Sequence, residues 1–186
     1  MRAEMPRKLF TVAEYYRMAE VGILDPEARL ELLEGEIVEM SPVGVRHINS
    51  VNRATNLFAR RLGERAIVSV QNPLQLSEYT EPQPDVVLLK PLADFYAEKR
   101  LSWEDALLVI EVSDTTIRRD RNVKLPLYAK AGVLELWIED LKKDTIFVYR
   151  DPGLTTYATT LVLRRGDPIC IAAFPDVVFQ VSDLLG

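Results

Sequence analysis

One stretch limits the fold more than any other: Ala106 to Lys124, ALLVIEVSDTTIRRDRNVK. From Leu107 to Ser113 it is nearly all apolar, with β-branched residues at its centre. Such a run predicts a strand covered on both faces, as in a sheet flanked by helices. Glu111 interrupts it. Side chains alternate along a strand, so Glu111 is expected to share a face with Leu107, Val109 and Ser113. A lone carboxylate there is costly to bury and must be paired, metal-bound or protonated. Asp120, Lys124 and Tyr128 follow at i, i+4 and i+8, on roughly one face of a helix. The stretch therefore joins a buried carboxylate to a lysine on the next helix.

The 186 residues suit one domain spanning 1–186, without internal repeat, low-complexity tract or dividing linker. A net charge of −5 argues against a general nucleic-acid coat. It leaves room for a nuclease, whose metal offsets local carboxylates and whose basic residues can cluster. No apolar stretch approaches the ~20 residues that span a bilayer, and MRAEMPRKLF lacks the apolar core of a signal peptide. Cys170 is the only cysteine and His47 the only histidine. An internal disulfide, a cysteine zinc cluster and a multi-histidine zinc site within one chain are thereby excluded. These features together point to a cytoplasmic protein that does not enter membranes.

Thr11 and Glu14 form a capping-box pattern ahead of a helix over 12–20, ending near Gly22. LELLEGEIVEM reads as a hairpin with Glu34-Gly35 near its turn. Most of its glutamates, Glu31, Glu34, Glu36 and Glu39, are expected on a wet face. A helix then runs from Gly44 or Val45 to Gly63, with Val45, Ile48, Val51, Leu57, Phe58 and Leu62 as its core stripe. His47, Arg53, Arg60, Arg61 and Arg65 occupy other faces, as a solvated surface or as a phosphate-contacting patch. Short strands are expected at 66–71 and 74–76. Pro82 and Pro84 give an extended entry to a strand over 86–89 that Asp85 opens. A helix over 120–131 contains Pro126, which should kink it or delay its start. Val133–Ile138 and Thr145–Tyr149 make a hairpin, and strands fill 155–163 and 169–181. The sum is an α/β fold: a central mixed sheet, helices on its faces and additional antiparallel hairpins.

Asp85 and Glu111 on adjacent strands, with Lys124 near them, suit metal-dependent phosphodiester hydrolysis. The carboxylates supply hard oxygen ligands for Mg²⁺ or Mn²⁺. The metal polarises the phosphate and acidifies a bound water. The lysine orients that water or offsets charge in the transition state. Pro84-Asp85 and Glu111 to Ser113 resemble the PD-(D/E)XK nuclease signature. ELLEGEIVEMSP, His47, PDVVLL, LVIEVSDTT, Asp120, Lys124 and YAKAGVLELWIED are together similar to the Uma-type family of putative restriction endonucleases within that superfamily. The likeness spans roughly Thr11 to Tyr149.

The resemblance implies a restriction-endonuclease-like fold, a Mg²⁺- or Mn²⁺-dependent deoxyribonuclease and DNA as partner. By analogy with nucleases that cut both strands, it also implies a homodimer. The signature has Lys two residues after the acidic residue, where Ser113 stands. Lys124 fits a variant in which that lysine has moved to the following helix. The superfamily also carries an early acidic residue; Glu31 is the better candidate and Glu34 the alternative. His47, Ser113, Asp120 and Tyr128 are candidate accessory residues. Two other readings compete. One is a catalytically silent nuclease-fold module that binds DNA or protein. The other is a carboxylate-pair enzyme such as a glycosidase, which explains neither Lys124 nor the family pattern. On the nuclease reading, Asp85 and Glu111 should share one ion and Lys124 should project into the gap between them. Arg53, Arg60, Arg61, Arg118, Arg119 and Arg121 should form a positive rim.

Overall fold

In the computed structural model, which describes residues 7–186, the first element is helix α1 (Val12–Glu20). Thr11 accepts from the Glu14 N–H and Glu14 from the Thr11 N–H, so the capping box forms. Strands β1 (Leu30–Leu33) and β2 (Glu36–Glu39) then pair antiparallel. Their turn, Glu34-Gly35, has φ of +49° and +80°. A Cβ on Gly35 would lie 2.6 Å from that of Leu9, so close approach as well as the backbone demands glycine.

Helix α2 (Val45–Leu62) leads to β3 (Ile67–Val70), β4 (Val86–Leu89) and β5 (Ala106–Ser113). A short helix α3 (Ile117–Arg119), a widened π turn over Asp120–Lys124 and helix α4 (Leu125–Ala131) cross to β6 (Glu135–Asp140). β7 (Thr145–Pro152) and β8 (Tyr157–Arg164) continue the sheet. A hairpin of β9 (Pro168–Ile171) and β10 (Phe174–Gln180) precedes helix α5 (Val181–Leu185).

The central sheet has the order β3-β4-β5-β6-β7-β8. β5 and β6 pair parallel and the other neighbours antiparallel. This is the expected α/β fold, a mixed sheet with flanking helices and added hairpins. On one face Phe58 of α2, Phe179 of β10 and Leu184 of α5 pack against Leu88, Ile110 and Trp137. On the other, Leu125 and Tyr128 of α4 pack against Val87, Val109 and Ile138. β5 is thus covered on both sides, as its composition requires. Among the described residues no helix is long and apolar enough to cross a membrane.

Four local expectations are corrected. Val45 and Ile48 are 74% and 45% exposed and take no part in the core. Three residues turn a helix by about 300°, so two successive i, i+3 steps drift roughly 120° from the starting face; the stripe begins at Val51. Leu107 packs with the α2 face rather than the Glu111 face, because a bulge in the β4–β5 pairing interrupts alternation there. Residues 74–76 make isolated backbone contacts, Leu74 with Pro82 and Gln75 with Ser102, instead of a strand. The helix expected over 120–131 begins earlier, at Ile117, and is not regular. Pro126 lacks the N–H that would return to residue 122. The turn before it widens, with Leu125 N–H donating to Asp120 five residues back.

Glu135 ties the β9–β10 hairpin to the sheet. It is fully buried and accepts from Arg150 Nε (2.9 Å), Trp137 Nε1 (2.8 Å) and the Ala172 N–H (2.6 Å). Glu135→Ala takes the shared acceptor from the buried Trp137 Nε1, from the part-buried Arg150 Nε and from the Ala172 N–H. It should lower stability by about 3–5 kcal/mol, read from urea midpoints, with a smaller loss for Glu135→Gln. A change below about 1 kcal/mol would show that solvent reaches the pocket and that the hairpin docks without it.

Candidate active site

Asp85 immediately precedes β4. The antiparallel register sets Val86 opposite Ile110; continued by one residue it sets Asp85 opposite Glu111, with both side chains on one face. Asp85 Oδ2 accepts the Val112 N–H at 2.8 Å, which fixes it to the backbone of β5. Its Oδ1 lies 2.9 Å from His47 Nε2 and 3.3 Å from Gln71 Nε2. His47 reaches it from the first turn of α2.

Glu111 is buried. Lys124 Nζ lies 3.0 and 3.2 Å from its two oxygens, and the Tyr128 hydroxyl donates to Oε1 at 2.6 Å. Glu31 enters from β1. Its Oε2 lies 3.2 Å from Lys124 Nζ and accepts the Gln83 N–H at 3.3 Å, while its Oε1 pairs with Arg119. The ammonium therefore sits between Glu111 and Glu31, not in the gap between Asp85 and Glu111 that helical spacing predicts. Spacing along one helix could not reveal the carboxylate that a distant hairpin brings. Glu34 is exposed at the hairpin tip. Asp120 accepts from Ser113 Oγ (2.5 Å) and Thr116 Oγ1 (2.7 Å). Ser113, where the nuclease signature has lysine, is thus engaged in positioning the turn that carries Lys124.

Burial pushes the Glu111 carboxyl up to about 8; Asp120 and Asp85 add to the rise, against Lys124 and the Tyr128 hydroxyl. Burial likewise raises Asp120. Burial alone would lower Lys124, but Glu111, Glu31 and Asp120 outweigh it and hold the ammonium charged. Tyr128 is raised, by burial and then by Glu111, and remains a donor.

These side chains line one cleft. Glu31, Asp85, Glu111, Asp114 and Asp120 face Arg29, Arg119, Lys124 and His47. The expected arginine rim does not gather around it. Of the six arginines only Arg119 lines the cleft. Arg61 instead donates to Val178 and lies over Phe179, and Arg121 lies over Phe147.

Sequence reasoning passed over Glu139. It is fully buried on β6, accepts from Ser50 Oγ at 2.5 Å and is raised by burial to about 7. The signal was the one that marked Glu111, a carboxylate inside an apolar strand. Arg29, which also lines the cleft, carried no such signal.

Among the described residues no group of three or more His, Cys, Asp or Glu side chains is arranged to hold a metal ion. The donor chemistry nonetheless suits a hard divalent cation: Asp85 and Glu111 line one cleft in which acids outnumber bases.

The Uma2 family model, described as "Putative restriction endonuclease", matches residues 12–182. No curated protein matches the chain. A crystal structure described as a putative nuclease belonging to DUF820, from Anabaena variabilis, is similar with a TM-score of 0.74 at 16% identity. The match covers 95% of this chain and 97% of that one. At that identity the likeness establishes the fold.

The raised Glu111 carboxyl has a thermodynamic signature. The folded state holds its proton above the ordinary value of 4.5. Its contribution to stability is complete below that value and is lost as pH rises towards about 8. In chelator, urea midpoints of the wild type should fall over this interval, and Glu111→Gln should flatten the fall. Parallel profiles for the two proteins would mean that Lys124 keeps Glu111 ionised throughout.

Proposed function

Because the chain belongs to the Uma2 family of putative restriction endonucleases, we propose that its cleft is a PD-(D/E)XK deoxyribonuclease site. The observation that carries this is the junction of Glu111, on a buried strand, with Lys124 from the following crossover helix. Asp85 and Glu111 hold Mg²⁺ or Mn²⁺, with Glu31 as a third carboxylate nearby. When bound, the cation polarises the scissile phosphate and lowers the pKa of a bound water.

The chain's own groups do the rest. Lys124 places a fixed positive charge beside Glu111, where it orients the attacking water and offsets charge on the phosphoryl oxygens. Tyr128 orients Glu111. His47 and the Val112 N–H hold Asp85 in place. Ser113 and Thr116 hold Asp120, and with it the turn carrying Lys124. Five carboxylates around the cleft repel a phosphodiester, so DNA and cation enter cooperatively. By analogy with nucleases that cut both strands as dimers, a two-fold dimer of this chain would present two such clefts.

A second reading, a silent nuclease-fold module, draws on the same contacts. Lys124 and Arg119 already pair with Glu111 and Glu31, and His47 Nε2 already lies against Asp85. Calorimetric titration with Mn²⁺ separates the two, since a silent site takes up no cation.

On the nuclease reading, Lys124→Met should lower kcat about 10²- to 10³-fold and leave Mn²⁺ and DNA affinity within a few-fold. Asp85→Ala should instead abolish calorimetric Mn²⁺ binding. Undiminished cleavage by Lys124→Met would move the catalytic role to another residue.

A further inference from the structure

We propose that the outward face of α2 is a base-reading surface for duplex DNA; this rests on the nuclease reading and names the element that selects sequence. α2 contains no acidic residue in 18 positions, although the chain as a whole carries a net −5. At ~100° per residue, Asn49, Asn52, Arg53, Asn56 and Arg60 fall within an arc of roughly 100°. That arc lies opposite the buried Val51, Ala54 and Phe58, and all five residues are exposed. Among the described residues, the side chains of Asn49, Asn52, Asn56 and Arg60 make no hydrogen bond or ion pair within the chain.

The helix itself begins at the cleft, which Gly44 and, from the inward side of α2, His47 line, and its 18 residues extend about 27 Å from there. The major groove admits an α-helix, and asparagine pairs bidentately with the N6/N7 edge of adenine. Val45 and Ile48, left out of the core, put apolar groups at the cleft end of the face, suited to a thymine methyl. Arg60 at the far end is placed for a phosphate. A protein interface has an apolar, aromatic centre; here the centre is amide.

The test is selection of bound duplexes from a randomised library by the full-length chain in Ca²⁺. The comparison is with Asn49→Ala/Asn52→Ala/Asn56→Ala and with Arg60→Ala, each first shown to keep the wild-type urea midpoint. The wild type should enrich a sequence containing adenine at spaced positions. The triple variant should lose that preference by at least tenfold while binding random duplex within about threefold. Arg60→Ala should weaken all duplexes alike and reduce the salt slope by about 1. Unchanged selection by the triple variant, or a wild type that binds without preference, overturns the inference and leaves the nuclease reading standing. A wild type that neither retains nor cuts duplex overturns both.

Discussion

A charged ammonium out of water sets the architecture of the cleft. Lys124 is 5% exposed at its side chain, and Glu111 and Glu31 are buried with it. A buried ion without partners is far too costly to persist. The three groups compensate one another only because β1, β5 and the crossover segment meet there. Arg119 supplies further compensation on Glu31. The cluster therefore fastens the N-terminal hairpin to the sheet as well as furnishing chemistry. Removing one member strands the others, which makes the cleft unforgiving of substitution.

The widened turn over Asp120–Lys124 is the backbone counterpart of that cluster. Pro126 cannot close an ordinary helical bond, and the turn before it accommodates the loss by bonding one residue further back. Lys124 leaves the end of this turn and Tyr128 follows four residues later on α4, so both reach Glu111. Asp120 opens the same turn and is held by Ser113. π turns recur at functional sites because they redirect side chains at small cost to the helix.

Charge is segregated along the chain. Carboxylates concentrate in the cleft, while α2, whose first turn reaches into that cleft, carries arginine and no acid. An anionic polymer would meet attraction along the helix and repulsion at the carboxylates until a cation balanced them. The low net charge conceals this arrangement, because an overall sum has no spatial content.

The capping box at Thr11, the glycine turn at Gly35 and the two-sided burial of β5 were all readable in the sequence. Each follows from neighbouring residues and from local backbone geometry. So was the need for a partner at Glu111, since burying a carboxylate is costly whatever surrounds it. The choice between Glu31 and Glu34 was not readable. Both lie in one hairpin, and only the docking of Leu32 against Glu81 turns Glu31 inward and leaves Glu34 at the tip. The partner of His47, the burial of Glu139 under Ser50 and the exposure of Val45 and Ile48 were hidden for the same reason. Period and composition determine what a residue requires of its surroundings. Which distant segment meets that requirement is decided by how the sheet, its hairpins and its helices pack in three dimensions.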